Sequence, residues 1–241
     1  IVFGDWSSDV CSSDLIIVNM NDGLREYAEF DHYHTLELIY PGVGSLSRRN
    51  AETRAALGAA DGCRVVMTST ECCCHRGLLD FCALSGSGDF PGVLFVVLVG
   101  EDGGVGGLEL PGVRMVGMER SGRGIAELAA SADVFVCLSN MKELHVELLY
   151  AMGSGVAAVS TALGEHDGRF LRAGVRLVEL GSQVELAGAV RAALGDGGGS
   201  EDGRDLVRRV FSERVMFGHY LRELSESALE DVNEVDIVES V

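Results

Sequence analysis

Seven short apolar runs recur along the chain from about residue 36, and six of the intervals between or after them carry helical spacing. The runs are Leu36–Tyr40, Arg64–Thr68, Val93–Val99, Val113–Val116, Asp133–Leu138, Val156–Ser160 and Val175–Leu180. Most are continuous and β-branched rather than alternating, the pattern of parallel strands covered on both faces. The helical stretches are Ser47–Leu57, Gly77–Leu84, Gly124–Ala130, Glu143–Met152, Gly164–Ala173 and Ser182–Leu194. Strand–helix alternation of this kind predicts an α/β fold: a Rossmann-like parallel sheet with right-handed crossovers and helices on both faces. Ligands of such sheets sit beyond the carboxyl ends of the strands, which makes the residues just after each run the ones to examine.

Composition narrows the partners. The 241 residues carry 37 acidic and 19 basic side chains, a net charge of −18, which speaks against a nucleic-acid-binding face. At 47 % apolar residues the chain can bury a core. The longest apolar run, Val93–Val99, falls far short of the roughly 20 residues that span a bilayer, so no membrane span is expected. Seven cysteines without a regular framework read as reduced thiols, and cytoplasm is the expected location. Glycine is abundant, at 32 residues, yet Gly100–Gly107 (GEDGGVGG) contains neither GxGxxG nor GxxxxGK. It reads as an exposed acidic turn, since Glu101 and Asp102 repel a phosphate.

The segment Asp5–Leu15, DWSSDVCSSDL, resembles the in-frame translation of a sequencing adapter over its whole length. Residues 1–15 are therefore expected to pack on nothing and are set aside from the fold. The expected organisation continues with 16–35 as a remnant of a preceding domain or a linker, 36–224 as the Rossmann-like domain, and 225–241 as an acidic tail. Arg204–Leu224 reads as one long helix with a broad apolar stripe, and Ala193–Gly203 as a flexible loop.

An ordered set of motifs resembles the C-terminal, donor-binding half of GT-B glycosyltransferases, the GT4 family in particular. The set is IYPGV at Ile39–Val43, HRGLLDF at His75–Phe81, VVLVGED at Val96–Asp102, GVRMVG at Gly112–Gly117 and SADVFVCLS at Ser131–Ser139. ELLYAMGSGVAAVST at Glu147–Thr161 and FSERVMFGHYLREL at Phe211–Leu224 complete it. The resemblance implies transfer of a sugar from a nucleotide diphospho-sugar to an acceptor, with retention and without a metal or other cofactor. It also implies an acceptor-binding domain preceding this half. Basic side chains and a helix N-terminus would neutralise the leaving diphosphate.

Three positions depart from the family's pattern. Arg76 stands where the family has its phosphate-binding lysine, but Glu71 replaces the partner arginine five residues earlier. Lys142 and Tyr150 replace two carboxylates that contact the sugar and the ribose, with Glu143 one step from the first. Arg76, Glu143 and Tyr150 are the candidate donor-binding residues; no catalytic residue and no metal ligand is singled out. Tyr150 offers one hydroxyl where a carboxylate accepts from two. Arg76 reads equally as a surface arginine opening a helix, and Glu143, Glu147 and Tyr150 equally as a solvated helical face. Cys72–Cys74 with His75 cannot all turn toward one ion, which argues against zinc. Two other readings stay open: a degenerate, non-catalytic Rossmann-like binding or scaffold module, and a nucleotide-sugar epimerase.

Overall fold

The structure, a computed structural model, describes residues 16–19, 35–100, 112–118, 124–141, 144–199, 201–222 and 225. The adapter-like segment, the Gly100–Gly107 turn beyond Gly100, Lys142 and Glu143, and the acidic tail apart from Ser225 lie outside the described residues. The described residues form two compact units, one comprising those up to Gly42 and from Val210 onward, the other Val43–Arg209.

The larger unit is an open six-stranded sheet. Its strands are β3 (Arg64–Ser69), β4 (Val93–Val99), β5 (Arg114–Gly117), β6 (Val134–Cys137), β7 (Ala157–Ser160) and β8 (Arg176–Leu177). They lie in the order β5-β4-β3-β6-β7-β8, every neighbouring pair parallel. Val65–Met67, Val96–Leu98 and Val134–Cys137 are buried throughout, as continuous apolar strands covered on both faces must be.

The connecting helices are α1 (Ala51–Ala56), α2 (His75–Gly86), α3 (Ile125–Ala130), α4 (Val146–Gly153), α5 (Asp167–Arg172), α6 (Gln183–Gly195) and α7 (Glu201–Val210). The chain runs from β3 outward through β4 to β5, then crosses back to β6 and runs outward the other way. Right-handed crossovers therefore place α2 on one face and α3, α4 and α5 on the other. The packing agrees: α2 contacts α6, and α3 contacts α4. The order reverses between β3 and β6, the position beyond whose strand ends sheets of this kind form a crevice.

The smaller unit holds β1 (Ile16–Asn19) and β2 (Thr35–Leu38), paired in parallel as a separate two-stranded sheet. The run Leu36–Tyr40 thus joins that pair and not the main sheet. The long final helix is also two helices: α7 stops at Val210, and residues 213–222 form the second. Ser212 makes the break, its hydroxyl and carbonyl both accepting from the Val215 amide at 3.4 and 3.0 Å. Phe211, fully buried at the junction, stacks edge-on against Tyr40 at 5.5 Å. The glycine-rich stretch 193–203 is mostly helical: α6 runs to Gly195, and Glu201 and Asp202 supply an acidic first turn to α7.

Candidate functional site

Beyond β3 the chain turns through Thr70–Cys74 into α2, and this turn is fastened to both neighbouring strand ends. The Thr70 amide donates to the Leu98 carbonyl at 2.9 Å, and the Gly100 amide to the Thr70 hydroxyl at 3.2 Å. Toward β6, the Cys74 amide donates to the Leu138 carbonyl at 3.0 Å, the Leu138 amide to Cys73 Sγ at 3.2 Å, and Cys137 Sγ to the Cys72 carbonyl at 3.2 Å. Gly77 is required by this arrangement, because a Cβ there would collide with the Leu138 carbonyl oxygen. The first turn of α2 is drawn against the end of β6, at the point where the strand order reverses.

The cysteines are packing and hydrogen-bonding groups of that turn. Cys72 and Cys73 are buried, and burial pushes both thiols well above their ordinary range. Cys73 Sγ lies 3.0 Å from the Thr68 hydroxyl, while Cys74 caps α2 by accepting from the Gly77 amide at 3.4 Å. Cys72 and Cys73 meet each other beside the Thr68 hydroxyl, whereas Cys74 serves the start of α2. Among the described residues no group of three or more histidine, cysteine, aspartate or glutamate side chains could hold a metal ion.

Arg76 stands on the first turn of α2 with its side chain 62 % exposed. Its Nε donates to Asp80 Oδ1 at 3.1 Å, one helical turn on. Asp80 is buried and has further partners, since Oδ2 accepts from the Gly181 amide at 2.9 Å and Oδ1 from Gln183 Nε2 at 3.1 Å. One carboxylate therefore locks α2 to the loop between β8 and α6 and holds Arg76 at the strand ends.

Across the crevice stands α4. It begins at Val146, three residues later than the spacing predicted, so the one-face reading of Glu143, Glu147 and Tyr150 reduces to the i, i+3 pair Glu147 and Tyr150. Tyr150 is half-buried on the second turn. Glu147 is not on a solvated face: it is only 8 % exposed. Burial raises its carboxyl above the ordinary carboxylate value, its own backbone amide opposes the rise by donating to it, and the negative charge of Glu71 adds to it. Glu71 itself is exposed and lies against Gly100, where a side chain would occupy the place of its carboxylate.

The sheet edge beyond β6 and β7 is closed by Thr161. Its hydroxyl donates to the Ser139 carbonyl at 2.8 Å and accepts from the Ser139 amide at 3.1 Å. The neighbouring Ser160 hydroxyl is buried without a hydrogen-bond partner among the described residues. The structure thus places Arg76 and Tyr150 on helices that follow the two strands at the reversal, and sets Glu71 and Glu147 near one another in the same region. Glu147 and Asp80 were not singled out as site residues by their spacing. The apolar setting of Glu147, in HVELLYAM, is the signal that it would be carried into the interior.

No family model matches the sequence, and no curated protein does. Solved structures match by fold. A sucrose-phosphate synthase from Thermosynechococcus elongatus superposes with a TM-score of 0.68 at 19 % identity, covering 88 % of this chain and 59 % of its own. A glycosyltransferase from Rickettsia africae gives 0.68 at 14 % identity, over 90 % of this chain and 64 % of its own. Alr3699/HepE from Anabaena, solved in complex with UDP and glucose, gives 0.68 at 16 % identity, over 87 % and 62 %. The chain spans about three-fifths of the length of these structures, and its likeness to them is one of architecture. It has the open, parallel, Rossmann-like fold found in GT-B glycosyltransferases.

Proposed function

We propose that the chain is the donor-binding half of a GT4-like glycosyltransferase, binding a nucleotide diphospho-sugar at the crevice between β3 and β6. One observation carries this reading: the guanidinium of Arg76 and the start of twelve-residue α2 stand together at the reversal of strand order. In the proposed transfer the bond from the sugar's anomeric carbon to the diphosphate breaks and its electron pair stays on the phosphate. The acceptor hydroxyl forms the new bond with retention and passes its proton to the departing diphosphate. Arg76 and the α2 amides stabilise the charge gathering on the diphosphate, without a metal. Tyr150 donates or accepts a single hydrogen bond at the ribose, and Glu143 contacts the sugar hydroxyls. A further domain supplies the acceptor side, and the cytoplasm supplies the donor.

Calorimetry with UDP, GDP and ADP on the chain tests the reading. Arg76→Ala should weaken binding of the accepted nucleotide by about 1–3 kcal/mol, the loss of one charge-assisted hydrogen bond. Equal affinity in parent and variant removes Arg76 from the site.

A second reading, a non-catalytic Rossmann-like module, is favoured by Glu71 and Glu147. Two carboxylates stand where a diphosphate requires cations, and one of them is buried. Under this reading none of the three nucleotides binds.

A further inference from the structure

At the opposite end of the sheet, where β3 and β6 begin, three arginines converge on one aspartate. Asp133 Oδ1 accepts from Arg49 Nη1 at 2.8 Å and from Arg64 Nη1 at 2.9 Å. Its Oδ2 accepts from the Val65 amide at 2.8 Å and from Arg54 Nη1 at 3.2 Å. The three cations are not equivalent. Arg54 is 11 % exposed and turns its remaining donors to the Ser131 and Cys63 carbonyls, so it is consumed by the fold. The side chains of Arg49 and Arg64 are 51 % and 45 % exposed, and among the described residues neither guanidinium makes another hydrogen bond.

Asp133 takes a single N–H from each of Arg49 and Arg64, and both cations help to hold its charge. Most of each half-exposed guanidinium is left over from that contact. Because both donate to the same oxygen, their Nη1 atoms lie at most 5.7 Å apart, a gap one phosphate can bridge. Each planar fork keeps four N–H donors for that purpose. Three guanidiniums on one carboxylate leave the cluster itself positive on a chain of net charge −18, which attracts an anion to it.

We infer that Arg49 and Arg64 form a phosphate-binding site at the N-terminal end of the sheet, remote from the crevice between β3 and β6 and independent of what binds there. The ligand is a phosphate monoester or diphosphate group, free in solution or carried on a lipid headgroup. Pyrophosphate titrated into the whole chain by calorimetry at fixed ionic strength tests this, beside flotation with phosphatidylcholine vesicles containing phosphatidic acid. Both are run in the Arg76→Ala background so that the crevice does not contribute. The Arg49→Gln/Arg64→Gln pair should weaken pyrophosphate or vesicle binding at least tenfold, whereas Arg208→Gln, an exposed arginine elsewhere, leaves it unchanged. Single Arg49→Gln serves if the pair lowers the melting temperature. Loss of vesicle capture identifies a lipid headgroup, and loss of pyrophosphate binding alone a soluble phosphate. Absence of both in the parent, or equal binding in parent and variant, overturns the site.

Discussion

The two ends of the central sheet each bury a carboxylate, and they treat it in opposite ways. At the N-terminal end Asp133 has a side chain 3 % exposed, yet an amide and three guanidiniums surround it. Burial works against its charge, but the Val65 amide with Arg49 and Arg64 outweighs it and holds the carboxyl below its ordinary value. At the C-terminal end Glu147 is buried to a similar degree and faces the charge of Glu71, with its own amide in support among the described residues. Its carboxyl is held up. Burial alone thus does not decide what a carboxylate does for a fold; the partners do. Glu147 stands at the C-terminal end of the strands where their order reverses, a usual place for groups whose own needs are left unmet.

The contrast can be broken most sharply at Asp133. Asp133→Ala leaves Arg54 buried without its anion and should cost about 3–5 kcal/mol, read as the fall in unfolding free energy in urea. A loss below about 1 kcal/mol would mean that the cluster is a surface ornament. Acid should act in the same direction. A lowered folded value makes Asp133 stabilising above its unfolded value, and that stability is lost as pH falls through the folded one.

Gly77→Ala comes next, at about 2–3 kcal/mol, because the added methyl meets backbone and not a side chain that can swing aside. Melting curves that match the parent would show that α2 can move off the end of β6.

Tyr150→Glu sharpens the comparison at the other end. If a ribose rests on α4, the carboxylate should tighten nucleotide binding by about 1–2 kcal/mol. If it does not, the melting temperature falls and no binding appears, which favours the non-catalytic module.

The smallest effect runs opposite to that of Asp133. Glu147→Gln removes a charge that burial opposes, so it should raise the melting temperature at pH 7–8 by about 2–4 °C, the response to about 1 kcal/mol in a domain of this size. The sign follows from linkage: a raised folded value means the folded state holds the proton longer. Stability contributed by Glu147 is present below its unfolded value and lost as pH rises through the folded one. A lower melting temperature in the glutamine variant would reverse the contrast.

Much of the sheet was legible in the sequence because parallel strands covered on both faces are written as unbroken apolar runs. Val93–Val99 is a strand to the residue, and Arg64–Thr68 and Asp133–Leu138 differ from β3 and β6 only at their ends. Strand membership was harder to read. Nothing local in Leu36–Tyr40 distinguishes a partner in the six-stranded sheet from a partner in β1, because pairing is a long-range choice. The break at Ser212 was hidden for a related reason, since the apolar stripe continues past a residue whose capping hydroxyl interrupts the backbone ladder. Of the candidate site residues, Arg76 could be placed because Gly77 ties the register to the strand end. Glu147 could not, because its neighbours in space, Glu71 and Cys72, stand more than seventy residues away in the chain.

Asp80 has a consequence for selectivity. Because it already holds the Gly181 amide and Gln183, it does not depend on Arg76, and Arg76 can release it without leaving a buried charge stranded. Any arriving anion must nevertheless outcompete a carboxylate that is always present at one local equivalent. A singly charged ligand offers Arg76 little that Asp80 does not, whereas a phosphate with two charges and three oxygens does. In the proposed donor site the pair would therefore act as a charge threshold, passing over monocarboxylates and answering to polyanions, with a built-in competitor that no dilution removes.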